Sequence, residues 1–146
     1  MPRDPYSNRL LTGNPYASKS DVTGKLVAVL DSAVSGRKLE LIVIRSRCVC
    51  RGEIHELLVA GEASEPGDVV EDCWGLGFLE IKEGGVLLCG DEVRIGDRMV
   101  GALAGFDLTH APNHMNLVLK SPRPITGAAQ GLRVGDRIVF SPEKAP

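Results

Sequence analysis

The fold class is indicated most directly by one stretch of sequence, Val86-Leu-Leu-Cys-Gly-Asp-Glu-Val-Arg-Ile-Gly-Asp-Arg-Met-Val-Gly-Ala-Leu103. Within it, Glu92-Val-Arg-Ile95 alternates charged and apolar residues, which is the pattern of a strand with one buried and one solvated face. Gly96-Asp97 then predicts a two-residue turn, because glycine adopts positive φ without steric cost and a two-residue loop fits the twist of paired strands. The stretch therefore predicts a strand, a turn and a second strand.

The same turn chemistry recurs along the chain, where a Gly-Asp pair precedes apolar residues at Gly67-Asp68, Gly90-Asp91, Gly96-Asp97 and Gly135-Asp136. Residues 39–50 form a long strand candidate rich in β-branched residues, whereas residues 53–60 fit a strand and a helical stripe equally well. Many short strands between glycine turns indicate an all-β barrel or sandwich. We expect a small closed or partly open β-barrel with at most one or two short helices.

The chain has 146 residues, which favours one domain. Residues 1–24 are rich in proline and small polar residues and are expected to form a flexible N-terminal arm. Residues 25–142 would form the single barrel domain, and residues 143–146 a C-terminal tail. A domain of about 120 residues buries around two thirds of its unfolded surface, so it needs no metal or disulfide to fold.

The composition excludes several classes of protein. No apolar run approaches the roughly 18 residues of a membrane span, and the N-terminus lacks the apolar stretch of a signal peptide. A cytoplasmic location is therefore expected, with Cys48, Cys50, Cys73 and Cys89 as reduced thiols. No basic cluster indicates a nucleic-acid partner.

Charge is distributed unevenly, although the net charge is only −2. Residues 52–92 carry eleven acidic residues against the single base Lys82. Two interpretations are open: these acids lie beside basic strands from both ends of the chain, or they form an acidic face that binds a basic partner or cations.

One part of the chain resembles the glucitol/sorbitol-specific IIA component of the bacterial phosphotransferase system. The resemblance rests on Gly85-Val-Leu-Leu-Cys-Gly-Asp-Glu-Val-Arg-Ile-Gly96, Gly101-Ala-Leu-Ala-Gly-Phe106, Asn116-Leu-Val-Leu119 and Gly135-Asp-Arg-Ile-Val-Phe140. It covers residues 75–140, and because its motifs are mostly turn chemistry it implies a fold and not a function.

The chain lacks the histidine on which that family's phosphoryl transfer depends. The family accepts a phosphoryl group on a histidine in the strand before the glycine that matches Gly85, and residues 75–84 contain no histidine here. Neither Phe78 nor Glu80 can accept a phosphoryl group on nitrogen. The resemblance therefore implies a barrel relative without phosphoryl transfer.

The polar connection Phe106–Asn116 is the candidate site, because loops on rigid barrels often carry binding residues. Three interpretations are open: a loop that holds Zn²⁺ or another transition metal, a metal-free loop that binds a ligand, or a structural loop. The metal ligands would be His110, His114 and Asp107. The ligand-binding set would be Asp107, His110, Asn113, His114 and Asn116, with His55 and Trp74 from other strands.

The remaining candidates each have two interpretations. His55, flanked by Glu53 and Glu56, is either a general base or part of a solvated polar face. Trp74 is either an exposed stacking platform or an anchor in the core or at the barrel rim. The cysteines are either ligands of a structural zinc or small buried hydrophobic residues.

The absence of known catalytic motifs is the main evidence on function. The chain has only three histidines and contains none of the Gly-x-Ser-x-Gly, Ser-x-x-Lys or phosphate-loop motifs. We expect a non-catalytic module, without cofactor, that binds a small molecule or a protein partner; homo-oligomerisation is left open. The alternative is a small enzyme or metal-binding domain with a His/Asp site in residues 106–116.

Overall fold

The computed structural model describes residues 15–143, which form twelve β-strands. The strands are β1 (Val22–Val29), β2 (Ala33–Val34), β3 (Leu39–Glu40), β4 (Ser46–Val49), β5 (Ile54–Gly61), β6 (Val69–Val70), β7 (Cys73–Glu83), β8 (Gly85–Leu88), β9 (Glu92–Ile95), β10 (Arg98–Asp107), β11 (Asn116–Ser121) and β12 (Arg137–Ser141). No α-helix occurs within the described residues. The all-β prediction is confirmed.

Seven strands close into a barrel in the order β1-β12-β9-β10-β11-β5-β7, and β7 pairs back onto β1. Neighbouring strands run antiparallel except β5 and β11, which are parallel. The pairs β3–β6 and β4–β8 form two small additional sheets. The prediction of a small closed barrel is therefore confirmed.

Two apolar clusters lie on opposite sides of the barrel wall. The inner cluster includes Leu57 and Val59 of β5, whereas the intervening Leu58 belongs to the outer cluster. Successive side chains of a strand point to opposite faces, so β5 is buried on both. This explains why residues 53–60 lack a clean alternation and fitted a helix equally well: they form a strand covered on both sides. The outer cluster consists of Leu39, Leu41, Leu58, Ala60, Val70, Cys73, Ala104 and Val118.

The turn predicted at Gly96-Asp97 is present. Ile95 pairs with Arg98 across a two-residue loop, and Gly96 has a φ of +62°. This is the left-handed region that glycine adopts without steric cost. The hairpin prediction is confirmed.

The prediction of one long strand over residues 39–50 is wrong. Residues 41–45 lie between β3 and β4 and belong to no strand. Their backbone makes single hydrogen bonds instead: the Leu41 N–H donates to the carbonyl of Asp68, and the Ile42 N–H donates to the carbonyl of Phe106. The chain turns because Leu41 packs against the outer wall in the outer cluster. Burial of an apolar side chain outweighs the strand preference of β-branched residues here.

The first strand begins earlier than the predicted boundary between residues 24 and 25. Val22 and Thr23 are already buried in β1. Residues 1–14 of the predicted arm and residues 144–146 of the predicted tail lie outside the described residues. No helix in the described part of the chain is long and apolar enough to cross a membrane.

The acidic segment 52–92 forms ion pairs with basic residues from both sides of it in the sequence. These pairs are Lys19–Asp91 at 3.1 Å, Arg37–Glu56 at 3.8 Å and Lys120–Glu65 at 3.2 Å. They favour the interpretation that the acids lie beside basic segments from both ends of the chain.

Candidate functional site

Asp107 and Asn116 close the predicted loop at its base, where β10 ends and β11 begins. They form a cross-strand pair, and Asn116 Nδ2 donates to Asp107 Oδ1 at 3.0 Å. The same oxygen accepts the N–H of Thr109, and Oδ2 accepts the N–H of Glu40, both at 3.0 Å. Both residues are almost fully buried. They fix the loop and β3 rather than face a ligand.

The charge of Asp107 is stabilised in place. Burial alone would raise its pKa, but the hydrogen bonds from Thr109, Asn116 and Glu40 outweigh that effect and hold the pKa below its ordinary value. A carboxylate whose two oxygens accept three N–H donors is not free to bind a metal ion.

His114 and His110 stack on each other above the outer wall. Their ring centroids lie 5.0 Å apart with an interplanar angle of 25°, and His114 also meets the ring of Phe78 edge-on at 5.3 Å. His114 Nδ1 lies 2.7 Å from Asn113 Oδ1. His110 and Asn113 are exposed, whereas His114 is half-buried. The structure thus brings His110, Asn113 and His114 together.

Glu56 is the acidic partner of this cluster. Its Oε1 lies 3.6 Å from His114 Nε2 and its Oε2 lies 3.8 Å from Arg37 Nη1. Glu56 pairs with Asn116 on one side and with Phe78 on the other, so all three side chains line one row of the outer wall. The Glu56 side chain is only 12 % exposed. Glu56 and His114 face each other rather than open solvent, at a distance longer than a hydrogen bond.

His55 is separated from this cluster, because it neighbours Glu56 in β5 and so points to the opposite face of the wall. It is buried, its Nδ1 accepts the N–H of Met115 at 3.0 Å, and its Nε2 lies 2.8 Å from Glu53 Oε1. An Nδ1 that accepts a hydrogen bond leaves the proton on Nε2, which donates to Glu53. The interpretation as a solvated polar face is wrong: Nδ1 holds β5 against the loop, and Nε2 is engaged by Glu53, which lies just before β5.

Trp74 lies four residues along β7 from Phe78, away from the histidines. It is partly buried and packs against the inner cluster. This placement fits the anchor interpretation.

A metal centre is not assembled in the described residues, where no group of three or more His, Cys, Asp or Glu side chains is placed to hold an ion. The predicted set of Asp107, His110 and His114 fails to converge because Asp107 turns toward Thr109, Asn116 and Glu40.

All four cysteines are free thiols. Cys48 and Cys50 are exposed, so the prediction of small buried hydrophobic residues is wrong for this pair, while Cys73 is buried as predicted. Burial raises the pKa of Cys73 and raises that of Cys89 to about 12. Neither of these two thiols is activated as a nucleophile at neutral pH.

A groove of about 580 Å³ lies at the other end of β10, between the outer wall and the connection from β11 to β12. Ala102 and Lys120 are cross-strand partners on its floor. Met99 and Ile125 line it and expose 44 % and 43 % of their surface. The full lining is Glu62, Arg98, Met99, Val100, Gly101, Ala102, Lys120, Ser121, Pro122, Arg123, Ile125 and Gln130.

Strands β10 and β11 approach each other closely beside the groove. A Cβ on Gly101 would stand 2.7 Å from the carbonyl oxygen of Lys120, so only glycine permits this approach of β10 to β11. The small side chain of Ala102 beside it leaves the floor low. The Arg98 guanidinium donates to the carbonyl of Gln130 and so ties the far wall to the start of β10.

Residues 16–141 match the profile of a known protein family. The chain belongs to DUF6917, a family of unknown function. No curated protein and no solved structure matches the chain. The match spans all twelve strands, so the DUF6917 domain includes both the histidine cluster and the groove. It neither supports nor opposes the resemblance to the phosphotransferase component.

The sequence alone predicted neither the groove of this DUF6917 domain nor Glu56 as the partner of both His114 and Arg37. Apart from Glu62, the groove residues come from two segments, 98–102 and 120–130, which the β10–β11 pairing brings together. Two basic residues close to proline, in Lys120-Ser-Pro-Arg-Pro-Ile125, were the available signal. Nothing in that run shows which apolar surface it faces.

Proposed function

We propose that the protein is a non-catalytic binding module for a small molecule, and that the groove beside Ala102 is its binding site. One observation carries the proposal: the groove of about 580 Å³ has a mainly apolar lining that includes four charged side chains, Glu62, Arg98, Lys120 and Arg123. Small-molecule sites are concave, mostly apolar and about 300–1,000 Å³ in volume, with a few polar groups that orient the ligand. Met99 and Ile125 are exposed apolar side chains of the kind that mark such sites.

The chemistry-bearing groups support a role without catalysis. Asp107 and His55 are engaged by the hydrogen bonds that hold the loop, and Glu56 is enclosed between His114 and Arg37. A catalytic base must reach the proton that it removes from a substrate. The groove itself contains no histidine or cysteine.

The test uses the neutral dye N-phenyl-1-naphthylamine, whose fluorescence rises in apolar surroundings. Ala102→Trp places an indole on the groove floor, and Ala33→Trp adds the same group at an exposed position of β2 outside the groove. We expect wild type and Ala33→Trp to bind the dye alike and Ala102→Trp to bind at least about tenfold more weakly, a loss of about 1.4 kcal/mol. Circular dichroism checks that each variant is folded. Equal binding by Ala102→Trp would overturn the proposal.

A second candidate function, a small enzyme, is favoured by the 3.6 Å approach of His114 Nε2 to Glu56 Oε1. The family that the chain resembles accepts a phosphoryl group on a histidine. Here β7 contains no histidine, and the Glu56 carboxylate would repel a phosphoryl group on His114. We therefore expect no acid-labile label after incubation with phosphorylated histidine carrier protein. Label on His55, His110 or His114 would favour the enzyme instead.

A further inference from the structure

We infer that the ligand of this groove is amphipathic: an apolar body attached to one anionic group, such as a carboxylate, sulfonate or phosphate monoester. The inference rests on the proposed function and adds the class of ligand. It is carried by the charges of the lining, where Arg98, Lys120 and Arg123 stand against the single acid Glu62. A concave surface lined by one sign of charge concentrates the field on its ligand.

The three basic side chains are not equally available. Within residues 15–143, the Arg123 guanidinium makes no hydrogen bond or ion pair; only its backbone N–H is engaged, with Ser121 Oγ at 3.2 Å. A free guanidinium presents a planar set of donors that matches the two oxygens of a carboxylate or a phosphate. Arg123 is therefore the anion-binding residue.

Lys120 is the second cation. Its Nζ lies 3.2 Å from Glu65 Oε1, and the Glu65 side chain is 57 % exposed. Ion pairs at such exposed positions contribute little to stability, so a ligand anion can recruit Lys120 at little cost. Arg98 plays a different part, because its guanidinium already donates to the carbonyl of Gln130 and holds the wall.

The apolar body of the ligand has its own place. Met99 and Ile125 lie on the same groove as Arg123, so a ligand that covers them can reach the guanidinium with its charged end. Such a ligand removes exposed apolar surface from water, and this burial favours binding. A purely apolar molecule would leave the Arg123 guanidinium without a partner, and a purely ionic one would leave Met99 and Ile125 exposed.

The experiment compares two dyes that differ by one charged group. 8-Anilinonaphthalene-1-sulfonate carries a sulfonate on the ring system of N-phenyl-1-naphthylamine. Because hydrogen bonds to charged groups are stronger than those between neutral groups, we expect the full-length protein to bind the sulfonate dye at least about tenfold more tightly than the neutral dye. Added NaCl should weaken the binding of the sulfonate dye and leave the binding of the neutral dye unchanged, since salt screens exposed charge.

Two arginine variants assign the charge. Arg123→Gln should weaken sulfonate binding by about tenfold and leave the neutral dye within about twofold. The matched control Arg133→Gln changes an exposed arginine outside the groove and should alter neither dye. Displacement of the neutral dye by octanoate and by octyl phosphate, with octanol as reference, tells a carboxylate ligand from a phosphate ligand.

Each failure has a distinct signature. If both dyes bind equally to wild type and both are lost in Ala102→Trp, the groove binds ligands but the inference about charge is overturned. If Arg123→Gln and Arg133→Gln weaken the sulfonate equally, Arg123 is not its binding residue and the inference is also overturned. If neither dye responds to Ala102→Trp, the proposed function fails.

Discussion

The side-chain amide of Asn116 donates a 3.0 Å hydrogen bond to Asp107 Oδ1 across the last residue of β10 and the first of β11. This contact closes the base of the 108–115 loop. Asp107 also receives the N–H groups of Thr109 and Glu40, so one buried carboxylate joins the loop, β11 and β3. Its role in the structure is to position other elements.

Asp107→Asn should destabilise the protein by about 2 kcal/mol at pH 7, because the amide nitrogen would face an N–H donor that the carboxylate now accepts. Urea unfolding measures the loss. The control Asp97→Asn changes an exposed turn residue and should shift the free energy of unfolding by less than about 0.5 kcal/mol.

The effect of Asp107→Asn should also depend on pH. The pKa of Asp107 is lowered in the folded state, so its carboxylate contributes stability above the unfolded pKa of about 3.9. That contribution is lost as the pH falls through the folded pKa. The difference between wild type and variant should therefore shrink below pH 4, and a difference that stays constant would show that ionisation of Asp107 is irrelevant to stability.

His55→Ala should cost about 2–4 kcal/mol, since it leaves the N–H of Met115 without its acceptor and opens a buried space. His110→Ala is the matched control, because that ring is exposed, and should cost less than about 0.5 kcal/mol. Thermal unfolding of both variants provides the comparison. A His55→Ala variant as stable as His110→Ala would mean that the His55–Met115 contact holds nothing together.

Gly96→Val should cost about 1–3 kcal/mol, because a β-branched residue at a φ of +62° is strained. Gly61→Val is the control: Gly61 has ordinary φ, and a Cβ there would meet no atom within 4 Å. The midpoints of urea unfolding should separate the two variants. Equal midpoints would argue against strain in the Gly96-Asp97 turn.

The hairpin could be predicted from sequence because its signals are local: Glu92-Val-Arg-Ile95 alternates, and Gly96-Asp97 fits one kind of turn. The strand over residues 54–61 could not be told from a helix, because the outer cluster covers its second face and removes the alternation. The break at Leu41 was equally hidden, since it depends on a wall that other segments build.

The candidate site was predicted only in part. His110, Asn113 and His114 come together because they are close in sequence, whereas Glu56 reaches His114 through the parallel pairing of β5 with β11. The groove depends on the same kind of long-range contact, because Ala102 and Lys120 meet across two strands. Local patterns carry no signal for such pairings.

The groove and the histidine loop lie at opposite ends of β10, so a measurement can show which of the two sites binds a ligand. Ala102 and Asp107 are five residues apart, about 16 Å at 3.3 Å per residue. Amide chemical shifts report binding at that scale, and the labelled full-length protein would be titrated with 8-anilinonaphthalene-1-sulfonate. We expect the amide shifts of residues 98–102 and 120–130 to change and those of residues 108–115 to stay the same. Changes centred on residues 108–115, or no localised changes, would contradict a binding site in the groove.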